Sequence, residues 1–354
     1  DLFWSVAKRR TNGNCRASAH GAPILSWYPV PPRVSVAPTR AAPTLHRLPH
    51  RRHLPPREEK VIFMSIRVGI GLAFVAMLCW GIGDFWIQKS TRKVGDLEAL
   101  FFITAFGAVV LLPFVYRDIP ALFSESASTM TVLGVLCVVL LLAALLDFEA
   151  LRVGKLAVVE PIWSFEVPVA GLLALFILSE RISFLQISLI AMLLMGLMFV
   201  SLKNRFAWKR LLWERGTLLA FLGAIMMGGA NFFMGWFSRL NDPLMANFIT
   251  DMFIAVVIAV VLLVSGRFQK TIADIRGNRA VLLQMSVADK AAWVAFAFAM
   301  TLAPIGVAVA LSESYIIVAV LLGLAVNRER LARHQKIGLV AAVCAAIALA
   351  SITV

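Results

Sequence analysis

From about Ile66 to the end of the chain, apolar runs long enough to cross a bilayer follow one another, separated by short charged breaks. A hydrocarbon layer takes about 20 apolar residues in helical form. Inside it every backbone polar group must be satisfied within the segment, so unbroken apolar runs of this length can only pack as helices. Ten such runs fall near residues 68–88, 97–116, 130–151, 155–178, 183–202, 216–237, 244–265, 281–301, 305–326 and 334–353. Only 15% of residues are charged, against roughly a quarter in a soluble domain, which leaves almost no soluble mass. The expectation is an all-α membrane protein of ten transmembrane helices.

The chain also contains one stretch twice. Leu72–Trp86 reads LAFVAMLCWGIGDFW, and Leu219–Phe233 reads LAFLGAIMMGGANFF. Gly81 and Phe85 recur as Gly228 and Phe232, and Asp84 falls opposite Asn231. Farther on, Phe102-Ile103-Thr104 matches Phe248-Ile249-Thr250, and Ser179-Glu180-Arg181-Ile182 matches Arg328-Glu329-Arg330-Leu331. The nearly constant spacing describes one duplication of a five-helix unit, over residues 64–203 and 204–354. An odd number of spans puts the two copies in opposite orientations, the inverted-repeat logic of secondary transporters.

These residues carry a resemblance. Trp80-Gly81, the segment Ala157-Val158-Val159-Glu160-Pro161, the turn Leu178-Ser179-Glu180-Arg181-Ile182, and Gln186 with Gly196 are similar to the drug/metabolite transporter superfamily, specifically proteins with paired EamA domains. That family has Leu-Gly-Glu-Arg at the turn. Here Ser179 replaces the glycine, and the second copy departs further with Val326-Asn327-Arg328-Glu329. The resemblance implies a ten-helix carrier that exports or exchanges small metabolites. Helices 1, 3, 4 and their mates would line the path, with helices 5 and 10 peripheral. It also points to a bacterial inner membrane.

Residues 1–63 lack apolar periodicity and hold nine of the fifteen prolines. They read as a disordered tail or a mis-assigned start before Met64, with an Arg-rich transit peptide as the alternative. The net charge of +14 sits mostly in this tail and in loops, so it speaks to topology rather than to nucleic acid. Lysines and arginines crowd the odd-numbered loops, as in Lys203, Arg205, Lys209 and Arg210, while the even-numbered loops hold only Arg117, Arg181 and Arg239. The positive-inside rule then places both termini outside the cytoplasm, whereas the resemblance implies cytoplasmic termini. The four cysteines are far apart and show no metal or redox spacing, and no cofactor motif appears.

Polar side chains inside spans mark functional sites by default. Asp84 follows Gly81 and Gly83 deep in helix 1, and Asn231 is its repeat mate. Trp80 belongs to the same segment. Helix 4 carries Trp163, Ser164 and Glu166 between Pro161 and Pro168, and prolines open a helix toward a cavity. Tyr315 is the repeat mate of Glu166, with Ser312 and Glu313 beside it. Acid, aromatic and hydroxyl groups on two related helices suit a small polar or cationic substrate. Desolvation favours the neutral form of a carboxyl group, so proton coupling is an expectation. Lys290, near the middle of helix 8, needs a partner from another helix, because Asp289 beside it points elsewhere. Glu166 or Glu313 is the expected partner. Glu180 and Glu329, at turns beside arginines, read as fasteners of helix ends.

Two other classes fit parts of the pattern. Gly81-Ile82-Gly83-Asp84 matches the GxGD of intramembrane aspartyl proteases, with Asp147 or Asp251 as second acid. The repeat explains Gly81 and Asp84 without catalysis, and no Tyr-Asp motif precedes them. A carrier fold kept as a receptor or scaffold is the other alternative. The reading carried forward is a secondary transporter, not an enzyme, working by alternating access on a small molecule.

Overall fold

The structure is a computed structural model that describes residues 56–153, 162–201, 216–318, 320–321 and 331–353. Among these residues every regular element is helical. Ten helices carry labels here: α1 Pro56–Val94, α2 Asp96–Val115, α3 Ala127–Val153, α4 Glu166–Ile177, α5 Phe184–Ser201, α6 Thr217–Leu240, α7 Pro243–Val264, α8 Phe268–Leu302, α9 Ile305–Ser312 and α10 Arg333–Thr353. A single turn of helix, Ile119–Leu122, lies between α2 and α3. Eight of these helices are long and apolar enough to cross a membrane. The other two, α4 and α9, are shorter apolar helices, Glu166–Ile177 and Ile305–Val318. The ten full-length spans expected from sequence are therefore eight long helices and two short ones among the described residues.

The two short helices are repeat mates, and the described part of each carries a break. In α4 the chain is helical at Ile162–Trp163, turns at Ser164–Phe165, and resumes at Glu166. Pro168 explains the turn: it has no N–H to give the Ser164 carbonyl, and its ring crowds that carbonyl. In α9 the helix tightens to a 3-10 turn over Glu313–Tyr315. There Ser312 and Ser314 donate their hydroxyls back to Ala308 and Leu311, bonds that compete with the helix ladder and bend it.

Each break is clamped by a glycine of the duplicated stretch. A Cβ on Gly228 of α6 would lie 2.6 Å from the Glu166 carbonyl oxygen and 2.7 Å from Val169 Cβ. A Cβ on Gly81 of α1 would lie 3.1 Å from the Tyr315 carbonyl oxygen and 2.6 Å from Val318 Cβ. The two crossings match residue for residue: Gly81 with Gly228, Tyr315 with Glu166, Val318 with Val169. Small residues let helix backbones approach this closely.

The core surrounds α9, whose eight residues are all buried. α5 and α10 cross each other at Gly196 and Gly338, and their spans are the least covered by protein, 22% and 28% buried, as the family resemblance implies. Two ends differ from the sequence expectation. α1 already runs as helix from Pro56, the first described residue, ahead of the expected start near 68. α8 begins at Phe268 and kinks at Asn278, so the expected span at 281–301 is its second segment.

Ion pairs lie just before and just after α7 in the chain. In the first, Glu180 meets Arg239 at 2.5 Å and accepts the Ile305 backbone N–H, which caps α9. Arg239 also donates to the carbonyls of Met300 and Ala303. Glu180 is thus the fastener its position implied; Glu329 lies outside the described residues. In the second, Glu98 of α2 meets Arg267 at 2.5 Å.

Candidate functional site

The two broken helices bring their acids together. Glu166, at the first turn after the break in α4, and Glu313, in the break of α9, hydrogen-bond through their side chains. A hydrogen bond between two carboxyl groups requires a proton on one of them. Asn231 of α6, buried beside them, donates its amide to Glu166 at 3.4 Å. Trp163, Ser164, Glu166, Glu313 and Tyr315 line one small cavity of about 10 Å³, room for roughly a single water. The Trp163 indole nitrogen is buried without a hydrogen-bond partner among the described residues, and its ring lies against Gly223. Five of the expected residues therefore meet: Trp163, Glu166, Asn231, Glu313 and Tyr315. The pocket holds paired acceptors, a spare donor and aromatic walls, but no volume for a metabolite.

The remaining expected residues fall elsewhere. Ser312 is fully buried, and its hydroxyl is spent on its own helix. The Asp84 side chain lies outside the described residues; its backbone sits one turn beyond Gly81, as Asn231 sits one turn beyond Gly228. Lys290 corrects the sequence expectation. Its partner is neither Glu166 nor Glu313 but Asp251 of α7, at 2.5 Å, with both side chains nearly buried. Glu166 already has Asn231 and Glu313 as partners, and the pair at 251 and 290 sits where Gly107 of α2 offers only backbone. Trp80 joins this second group. Its indole and that of Trp293 both donate to Asp289, and the rings of Trp80, Trp293 and Phe296 pack edge to face.

Asp251 and Asp289 were visible as acids in spans, yet their grouping was not. The available signal lay in the repeat itself: Asp251 follows Thr250 where Ala105 follows Thr104, a charge with no counterpart. Asp251 as second acid of a protease also loses its case, since Lys290 holds it.

An all-helical bundle with a duplicated half, broken helices and a buried acid pocket defines a membrane protein of the carrier type. The EamA-like transporter family matches residues 67–202 and 214–351, nearly the whole of both repeats. The chain belongs to that family, and it is a multi-pass integral membrane protein of a family of transporters, not of enzymes. A search of curated proteins gives no match. A solved structure described as "Crystal structure of protein" shares the fold, with a TM-score of 0.61 at 18% identity, over 80% of this chain and 97% of the other.

Proposed function

We propose that the protein is a secondary transporter of ten spans in two inverted five-helix repeats, moving a small polar or cationic molecule by alternating access. The observation that carries this reading is the meeting of Glu166 and Glu313 at matched helix breaks beside Asn231. Sites of this kind lie where discontinuous helices from two repeats converge. A cationic group entering between the carboxyls replaces the proton they share, so substrate uptake and proton release are linked. The free indole N–H of Trp163 gives a second contact, to an acceptor on the substrate. By the repeat, Asp84 is the mate of Asn231, which makes it a candidate residue of the same path. The membrane is a bacterial inner membrane in this reading.

The test is a metabolite screen in vesicles reconstituted with the protein, with and without a pH gradient. Uptake or exchange of a polar or cationic compound that is lost in Glu166→Gln supports the reading. Transport that ignores both Glu166→Gln and Glu313→Gln removes the pocket from the path. Peptide cleavage lost in Asp84→Asn, without transport, favours the protease instead.

A further inference from the structure

Resting on the carrier reading above, we propose that Asp251, Asp289 and Lys290 form a second site, for a driving proton, separate from the pocket at Glu166 and Glu313. None of the three lines that pocket. The site holds two carboxyl groups and one ammonium. Lys290 pairs with Asp251 at 2.5 Å, while Asp289 takes the indole N–H groups of Trp80 and Trp293. The charged groups acting on Asp251 are Lys290 and Asp289, and Lys290 acts on Asp289 in turn; α2 adds the bare Gly107 and α1 the Trp80 indole. One ammonium balances one carboxylate, and an unbalanced buried charge is costly. Ser286 stands one turn earlier on the same face of α8. It is fully buried, and its hydroxyl has no partner among the described residues. That hydroxyl is a ready relay toward Asp289.

Symmetry supplies the reason for a proton here. A ligand shifts an equilibrium between two states only as far as it binds them unequally. In an inverted repeat the two facing states exchange the roles of the halves, so contacts present in both copies count equally in each. The glycine clamps at Gly81 and Gly228 are of that kind. The ionic site is not: in the register of Thr104 and Thr250, Asp251 falls on Ala105, and Asp289 and Lys290 fall on Ala143 and Ala144. Its occupancy therefore distinguishes the states, which the matched glycine clamps do not. The step balances simply. A proton from water forms an O–H bond on Asp251, the Lys290–Asp251 ion pair opens, and the ammonium moves to Asp289 as its counter-ion. Return of the proton to water reverses both. Trp80 carries the change onward, because it holds Asp289 while its neighbour Gly81 rests on the Tyr315 carbonyl in the α9 break.

The experiment uses the full chain in detergent with the proton as the only probe. Asp84→Asn/Glu166→Gln/Glu313→Gln, which lacks every carboxyl assigned to the pocket and path, is given acid pulses while a pH dye records proton uptake and the tryptophan fluorescence that Trp80→Phe/Trp293→Phe removes records those two indoles. A proton-binding transition is expected to remain. Adding Asp251→Asn/Asp289→Asn/Lys290→Met, which removes all three charges and leaves none stranded, is expected to abolish it. Asp289→Asn, which keeps the ion pair and an acceptor for the indoles, is the second variant and is expected to abolish both signals. No transition in the pocket-free protein, or one that survives these changes, overturns the proposal. Because no substrate is used, a failed transport screen alongside a positive proton signal would count against the carrier reading alone.

Discussion

Alanine at Gly228 or Gly81 tests whether the glycine clamps set the geometry of the pocket. At Gly228 the new Cβ would stand 2.6 Å from the Glu166 carbonyl oxygen, where ordinary contact begins at 3.4 Å, so the two helices must part by about 0.8 Å. The obstacle is backbone and a β-branched Val169, neither of which can rotate away. Overpacking of this kind costs about 1–3 kcal/mol, and the gain in helix propensity from glycine to alanine offsets roughly 0.5–1 kcal/mol. A net loss of about 1–2 kcal/mol is expected for Gly228→Ala. Gly81→Ala, whose Cβ would meet Val318 Cβ at 2.6 Å, should lose a similar amount. Gly71→Ala and Gly134→Ala are the controls, since nothing lies within 4 Å of a Cβ at either position. They should be neutral or slightly stabilised. Thermal unfolding of the detergent-solubilised proteins, read by loss of the monodisperse peak, ranks all four. The Asn231–Glu166 bond is already at 3.4 Å, so Gly228→Ala should also impair transport beyond its effect on folding. If Gly228→Ala melts with Gly71→Ala, the matched clamps do not hold the broken helices and the reasoning fails.

Other outcomes follow from named contacts. Glu166→Gln and Glu313→Gln should fold, since an amide still bonds a carboxyl group, but each should lose coupling of transport to pH in vesicles. Lys290→Met alone strands Asp251 and should cost about 3–5 kcal/mol in folded yield, much of it recovered by adding Asp251→Asn; additive losses in that double-mutant cycle would refute the pairing. Arg239→Lys should not replace Arg239, because one ammonium cannot reach Glu180, Met300 and Ala303 in the fork that the guanidinium makes; a melting curve equal to wild type would show the clasp is idle. A cysteine placed at residues 202–214 should be shielded from an impermeant thiol reagent outside the cell; external labelling would reverse the orientation drawn from the basic loops.

What the sequence made legible was the part governed by period and repetition. Eight long apolar helices, the duplicated unit and the acids of helices 4 and 9 all follow from local pattern. The register of Glu166 on Tyr315 also emerges, because equal contacts at Gly81 and Gly228 repeat it. Two features stayed hidden for physical reasons. Hydropathy counts residues and not hydrogen bonds, so although Pro161 and Pro168 signal the opening of helix 4, no proline marks the 3-10 turn at Glu313–Tyr315. Partner choice depends on which faces meet. Lys290 sits among several acids in the sequence, and only the packing of α7, α8 and the bare Gly107 selects Asp251.

The two ion pairs that flank α7 in the chain differ in strength. Glu180 is held by a guanidinium and by the backbone N–H of Ile305, and Arg239 spends its other donors on two carbonyls, with both side chains largely covered. Among the described residues Glu98 has one ion-pair partner, Arg267, whose side chain is 49% exposed, and its second carboxyl oxygen is buried without a hydrogen bond there. An exposed ion pair contributes about 0–1 kcal/mol and weakens with salt, while a capped, multiply bonded carboxylate is screened far less. The stronger clasp joins the first repeat to both α6 and α9; the weaker joins α2 to the start of α8 alone. Glu180 belongs to a repeated motif whose mate, Glu329, lies outside the described residues, so the charges without a counterpart are those of the ionic site at Asp251 and Lys290. In the carrier proposed above, unduplicated charges on a duplicated frame give the two facing states different energies.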